Sequence, residues 1–243
     1  MTFNVPLSQQ KAERLIAALR LPALAQVVDL GCGQGDFLLD VVRTCTARGL
    51  GLDLNAESIA KARQMASWSN SNAQFQQVDL RSERLPAAEF DLAICLGSTH
   101  AFADGKDAYS EALQAMYAAV RPGGQLLLGE GFWEKDPHPD YLALLGEPVG
   151  IYNDHHQNIQ QAEALGLVTH YVLTSSLDEW DHFEWTHQQD SEAQVAAQPD
   201  DPDHQDWLAQ RRTWMDGYLR WGRGTMGFGF YLFRKPLALN VPR

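Results

Sequence analysis

Positive charge is scarce in this chain of 243 residues. Nineteen lysines and arginines stand against 31 aspartates and glutamates, a formal net charge of −12. Such a surface repels phosphate backbones, so no nucleic-acid partner is expected. Cysteine is scarce too: Cys32, Cys45 and Cys95 sit in apolar surroundings and form no Cys-x-x-Cys pair. Thiols so placed read as buried and reduced, with neither a disulfide framework nor a metal site. No apolar run approaches the roughly 20 residues of a spanning helix. The N-terminal "MTFNVPLSQQKAERL" lacks the basic-then-apolar order of a secretion signal, so a cytoplasmic protein without membrane contact is expected. There is no internal repeat, and the only compositionally biased tract is the acidic "QPDDPDHQD".

What is present is an alternation of short apolar runs with helical stripes. Ala12, Leu15, Ile16 and Leu19 recur at helical spacing after Ser8, and Pro22 ends that helix. Strands are expected over Val27–Leu30, Leu50–Leu54, Ala73–Leu80, Phe90–Leu96 and Gly124–Phe132. The spacing of Phe37, Leu38, Val41 and Val42, and later of Tyr109, Leu113, Met116 and Val120, marks helices between them. This rhythm predicts a mostly parallel sheet with helices on both faces. After Gly131 it breaks. A Pro-rich stretch runs to Pro148, and a helix is expected around His156–Leu165. Two further strands, "LVTHYVLTSS" and "MGFGFYLFRK", flank 49 residues, Leu177–Thr225, that alternate with nothing.

The first strand leads into "VVDLGCGQGDF", Val27–Phe37. Gly31, Gly33 and Gly35 let main chain approach a ligand that side chains would hold away. The spacing departs by one residue from the dinucleotide fingerprint G-x-G-x-x-G, and no Gly-Lys-Ser/Thr follows, which excludes a Walker loop. An aspartate, Asp29, precedes the first glycine by two residues. Asp53 ends the second strand in "LGLDLN", and Asp79 closes "QQVDL".

With these residues and "RPGGQLLLGE", the stretch from about Lys11 to Phe132 resembles the class I S-adenosylmethionine-dependent methyltransferases. "EWDHFEW" and "WGRGTMGFGFYLFRK" also look like passages of uncharacterised bacterial members. The resemblance implies a Rossmann-like seven-stranded α/β sheet in one domain, residues 1–243, with its last strand antiparallel. Residues 131–154 and 177–225 would then form lids over the carboxyl edge, the second a helical lid inserted before the last strand. It implies S-adenosylmethionine as cofactor, leaving as S-adenosylhomocysteine. Asp29 would answer the ammonium, and Gly31, Cys32, Gly33 and Gly35 would line the methionine portion. Asp53 would take the ribose hydroxyls. Asp79 would accept from the adenine amino group, with Leu54 and Leu80 on the ring. Leu96 and Gly97 would run beside the transferring methyl.

A nicotinamide-dependent oxidoreductase and a non-catalytic cofactor-binding module are the other readings of such a sheet.

On the acceptor side, a small molecule is expected. His100 in "CLGSTHAF" is the first candidate for a base, and His155 in "NDHH" the second. Adjacent histidines on a helix point to different faces, so His155 and His156 are not read as metal ligands. Trp133 and Tyr152 in the first irregular stretch, and Trp180, Phe183 and Trp185 in "DEWDHFEW", are candidates for an aromatic acceptor pocket. Trp207, Trp214, Tyr218 and Trp221 sit at helical spacing and read as packing. Ten acidic residues and no lysine or arginine fall between Asp178 and Asp206, a field that favours a cationic or amine acceptor.

Overall fold

The computed structural model describes residues 3–237. The Ser8 hydroxyl caps helix α1 (Gln9–Ala18) by accepting from the Lys11 amide at 3.3 Å. Strand β1 (Gln26–Leu30) is buried at four of its five positions, as a strand covered on both faces must be. Gly35 opens helix α2 (Asp36–Cys45) in the left-handed conformation. Next come β2 (Arg48–Asp53), α3 (Ala56–Trp68), β3 (Ala73–Gln77), β4 (Phe90–Leu96), α4 (Ala108–Ala119) and β5 (Val120–Trp133). The second half contains α5 (Pro139–Leu145), α6 (His155–Ala164), β6 (Val168–Thr174), α7 (Leu177–Ala197), α8 (Pro202–Arg220) and β7 (Met226–Arg234).

The seven strands form one sheet in the order β3-β2-β1-β4-β5-β7-β6. β1 to β5 pair in parallel, and β7 runs antiparallel to both β5 and β6. Alternation along β7 feeds two cores. Phe228, Phe230 and Leu232 pack with residues of α1, α2 and α3, while Tyr231 and Phe233 pack with α4 and α6. Chain connections leave β1 and β4 in opposite directions, so a crevice opens between the carboxyl ends of these two neighbours. Open α/β sheets bind ligands there.

The strands lie within a few residues of expectation, with two differences. β3 ends at Gln77, so Asp79 stands in the following loop and not at a strand end. β5 continues to Trp133, and the Pro-rich stretch behind it contains α5, with Pro139 in its first turn.

Residues 177–225, expected as a helical insertion before the last strand, hold an antiparallel helix pair. Asp181 of α7 takes Arg223 and the Tyr218 hydroxyl, and Glu184 takes Arg211 and Trp214. The buried residues of α7 are Glu184, Gln188 and Ser191. A helix whose inward stripe is polar carries no hydrophobic period to read.

Candidate active site

The turn after β1 is pinned to its neighbour: the Gly31 and Cys32 amides both donate to the Leu52 carbonyl, at 2.8 and 3.0 Å. Gly31 has φ +73°, and a β-carbon there would overlap the Ser98 side chain behind β4. Gly33 has φ +54° and nothing within 4 Å of where a β-carbon would stand. Its backbone faces open space. One Asp53 oxygen accepts from the Gly33 amide at 2.8 Å and the other from the Asn55 amide at 2.8 Å. The carboxylate therefore ties the tip of the glycine turn to the end of β2, with a lone pair still free on each oxygen.

A cleft of about 590 Å³ lies over this turn. Asp29, Gly31, Cys32, Gly33 and Asp53 form its floor, and Leu96 and Gly97 one side. Phe3, Asn4 and Val5 enter from the N-terminal segment, and His187 and Asp190 from α7. A second compartment of about 360 Å³ shares Gly31, Asp53, Ser98 and His100 with the first. Leu54, Asp79 and Leu80 line it.

Asp29 is 4% exposed, and its carboxylate accepts no hydrogen bond from the described residues. Burial, and then the nearby charge of Asp53, push its pKa up to about 7. A buried, unpartnered carboxylate facing a cleft suits a cationic ligand group. Burial likewise raises the Cys32 and Cys95 thiols, which makes them poor nucleophiles at neutral pH. Among the described residues no group of three or more His, Cys, Asp or Glu is placed to hold a metal ion. No helix among them is long and apolar enough to cross a membrane.

Comparison with known proteins meets this geometry. Residues 27–124 match the family model described as a methyltransferase domain. The uncharacterised protein YjhP of Escherichia coli is 25% identical over 240 residues, covering 93% of this chain and 91% of that protein. The demethylmenaquinone methyltransferase of Deinococcus radiodurans is 30% identical over 131 residues, 54% of this chain and 50% of that protein. The chain thus spans about half the length of the functionally named relatives it matches. A SAM-dependent methyltransferase of Geobacter sulfurreducens, solved with S-adenosyl-L-homocysteine, superposes with TM-score 0.86 at 24% identity, over 96% of this chain and 93% of that one. Over nearly its whole length the chain has the fold of the class I S-adenosylmethionine-dependent methyltransferases, and residues 27–124 carry the match to the methyltransferase domain.

S-adenosylmethionine fits the residues of this cleft. Asp29 would meet the ammonium, the open backbone at Gly33 the methionine portion, Asp53 the ribose, and Asp79 with Leu80 and Leu54 the adenine. The Asp79 carboxylate is itself steadied by the Arg81 amide at 3.0 Å. Leu80 is 7% exposed and Leu54 65%, so the two differ in how much of a ring they can cover.

The acceptor-side candidates are scattered. His100 is exposed and borders both compartments, its carbonyl accepting from Arg81 at 3.0 Å. His155 lies elsewhere: its Nδ1 is 3.0 Å from the Tyr231 hydroxyl, its ring packs on Phe132, and it lines neither compartment. Trp133 donates to the Val149 carbonyl at 3.0 Å and packs edge-on against Tyr152. Trp180 meets Phe183 and Phe228 edge-on. Trp185 is about half exposed. None of these five aromatics lines either compartment. Of the carboxylates in "DEWDHFEW", Asp181 and Glu184 close the helix pair through Arg223 and Arg211, and Glu179 pairs with Lys11 of α1.

Sequence reasoning passed over His187, Asp190 and the Phe3–Val5 segment. It also passed over Glu130, a buried carboxyl bonded to the Thr99 hydroxyl and to the Gly131 amide. Burial pushes Glu130 up to about 7. "LLLGEGF" held the one available signal, an acid inside an otherwise apolar strand.

Proposed function

We propose that this chain transfers the methyl group of S-adenosylmethionine to a small-molecule acceptor, with residues 1–243 working as one cytosolic domain. Segments 131–154 and 177–225 serve as its lids. Three unpaired cysteines suit a reducing compartment. Entry of His187 and Asp190 into the cleft supports a lid role for the second segment.

The observation that carries the proposal is the unpartnered Asp29 carboxylate on the cleft floor beside the open backbone of Gly33. A dinucleotide's pyrophosphate would meet that carboxylate as like charge, which disfavours the oxidoreductase reading. When bound, the cofactor supplies an electrophilic methyl on a sulfonium. The chain's own residues hold the cofactor's two ends, exclude water and align the acceptor. His100, at the seam between the compartments, is the expected acceptor-orienting group from the β4 edge.

Calorimetry with S-adenosylhomocysteine tests the reading, and release of that product in the presence of an acceptor completes the test. Thermal shift against NAD gives the contrast, since a ligand at ~100 times its Kd adds about 2.7 kcal/mol. A shift with NAD and none with S-adenosylhomocysteine would reverse the assignment.

A further inference from the structure

The lining of the main cleft carries the carboxylates of Asp29, Asp36, Asp53 and Asp190 and the imidazoles of His100 and His187, but no lysine or arginine. The bound cofactor would answer Asp29 with its ammonium and Asp53 with its ribose. Among the described residues neither Asp36 nor Asp190 has a cationic partner. A carboxylate acceptor entering here would meet like charge with nothing to compensate it, whereas a cation would be drawn in. Phe3, Val5, Phe37 and Leu96 give the same cleft an apolar wall.

His187 and Asp190 are three residues apart on α7, so they share a face of the helix. The His187 ring is half-buried and rests edge-on against Phe183 at 4.7 Å, with no hydrogen bond from its nitrogens to a described residue. Among the described residues, Glu184 and Asp190 on its own helix and Arg211 on α8 are the charged groups around it. Arg211 is engaged by Glu184 at 3.0 Å. Burial first, then Arg211, holds the imidazole below its ordinary range, so it is neutral and free to accept a proton.

We propose that the acceptor is an amine on an apolar body, held by Asp190 and deprotonated by His187. The inference rests on the cofactor reading above. The amine arrives as the ammonium that Asp190 attracts, and one N–H proton passes to a ring nitrogen of His187. The freed lone pair forms the N–C bond to the methyl as the C–S bond breaks, its electron pair staying on sulfur as the neutral thioether. The product leaves as a methylammonium, and the His187 imidazolium returns its proton to solvent. No further reactant is needed.

The test uses two probes of one shape, 2-phenylethylamine and 3-phenylpropionate, titrated by calorimetry into protein saturated with S-adenosylhomocysteine. The amine is expected to bind at least about tenfold more tightly. Asp190→Asn, at an exposed position, should shrink that preference and leave S-adenosylhomocysteine affinity within about twofold. The His187 ring proton resonance, assigned by its loss in His187→Gln, should move toward the imidazolium position with the amine and stay put with the acid. A histidine that merely packs would not respond. Equal or tighter binding of the acid, binding of neither probe, or a silent His187 resonance overturns the inference alone. Absence of heat with S-adenosylhomocysteine overturns the cofactor reading, and this one with it.

Discussion

Replacing Gly33 with alanine separates folding from binding at one atom. Gly33 sits at φ +54°, and a β-carbon built there meets no protein atom within 4 Å. The cost to the fold is the left-handed backbone alone, about 1–2 kcal/mol for a residue with a side chain. For a chain of this size each kcal/mol lowers Tm by roughly 2–4 °C, so a fall of about 2–8 °C is expected. The amide that bonds Asp53 survives the change. The added methyl, however, points into the space assigned to the cofactor, and S-adenosylhomocysteine affinity should drop by more than about tenfold, or ~1.4 kcal/mol. Calorimetry and a melting curve on one preparation read both numbers. Gly31→Ala is the contrast: its β-carbon collides with Ser98, so it should lose fold stability well beyond the Gly33 variant. If Gly33→Ala binds S-adenosylhomocysteine like the parent, no ligand occupies the space over that backbone. The assignment of the cleft then fails.

Three further outcomes are expected. The Asp29 carboxyl, raised to about 7 by burial and then by Asp53, must be ionised to hold an ammonium, so S-adenosylhomocysteine affinity should climb as pH rises from about 5.5 to 7. Calorimetry should find that slope missing in Asp29→Asn, and a flat parent profile would contradict the role. The same raised value means that ionising Asp29 opposes folding: its contribution is full below its unfolded pKa near 3.9 and is lost as pH rises through about 7. Unliganded Asp29→Asn should therefore gain in Tm relative to the parent across that range. Glu184→Ala leaves the buried Arg211 guanidinium and the Trp214 N–H without their carboxylate, at about 3–5 kcal/mol. A drop of roughly 6–20 °C in Tm is expected, and a drop under about 3 °C would show that this pair does not close the helices. Tyr231→Phe removes the hydroxyl shared by His155 and Asn158 and should cost about 1–3 kcal/mol of stability with S-adenosylhomocysteine affinity unchanged. Loss of binding instead would return His155 to the site.

The sheet and the floor of the cleft were legible because they rest on local rules. β4 occupies Phe90–Leu96 as its apolar run predicts, and Gly31, Asp29 and Asp53 are fixed by short spacing around a strand end. The helical insertion was legible but its polar seam was not, since α7 buries Glu184, Gln188 and Ser191 and satisfies Asp181 and Glu184 with partners 27 to 42 residues later in the chain. Asp181 and Glu184 of "DEWDHFEW" consequently looked available when they are spent on Arg223 and Arg211. Val5 is a similar case. Its neighbour across the cleft is Gly97, and no pattern within either segment announces that meeting. His187 and Asp190 reach the cleft only because the pair folds back over it.

The bond from Asp53 to the Gly33 amide has a consequence for how the cofactor is assembled into its seat. In the proposed binding mode one carboxylate would touch both the sugar end of the ligand and the loop that receives its amino-acid end. Ordering either half therefore helps order the other, and adenosine and methionine as separate fragments should bind with a free energy that falls short of the joined molecule by more than the entropy of linking alone. Such a seat reads its ligand as a whole, and rejects pieces that share only half of it.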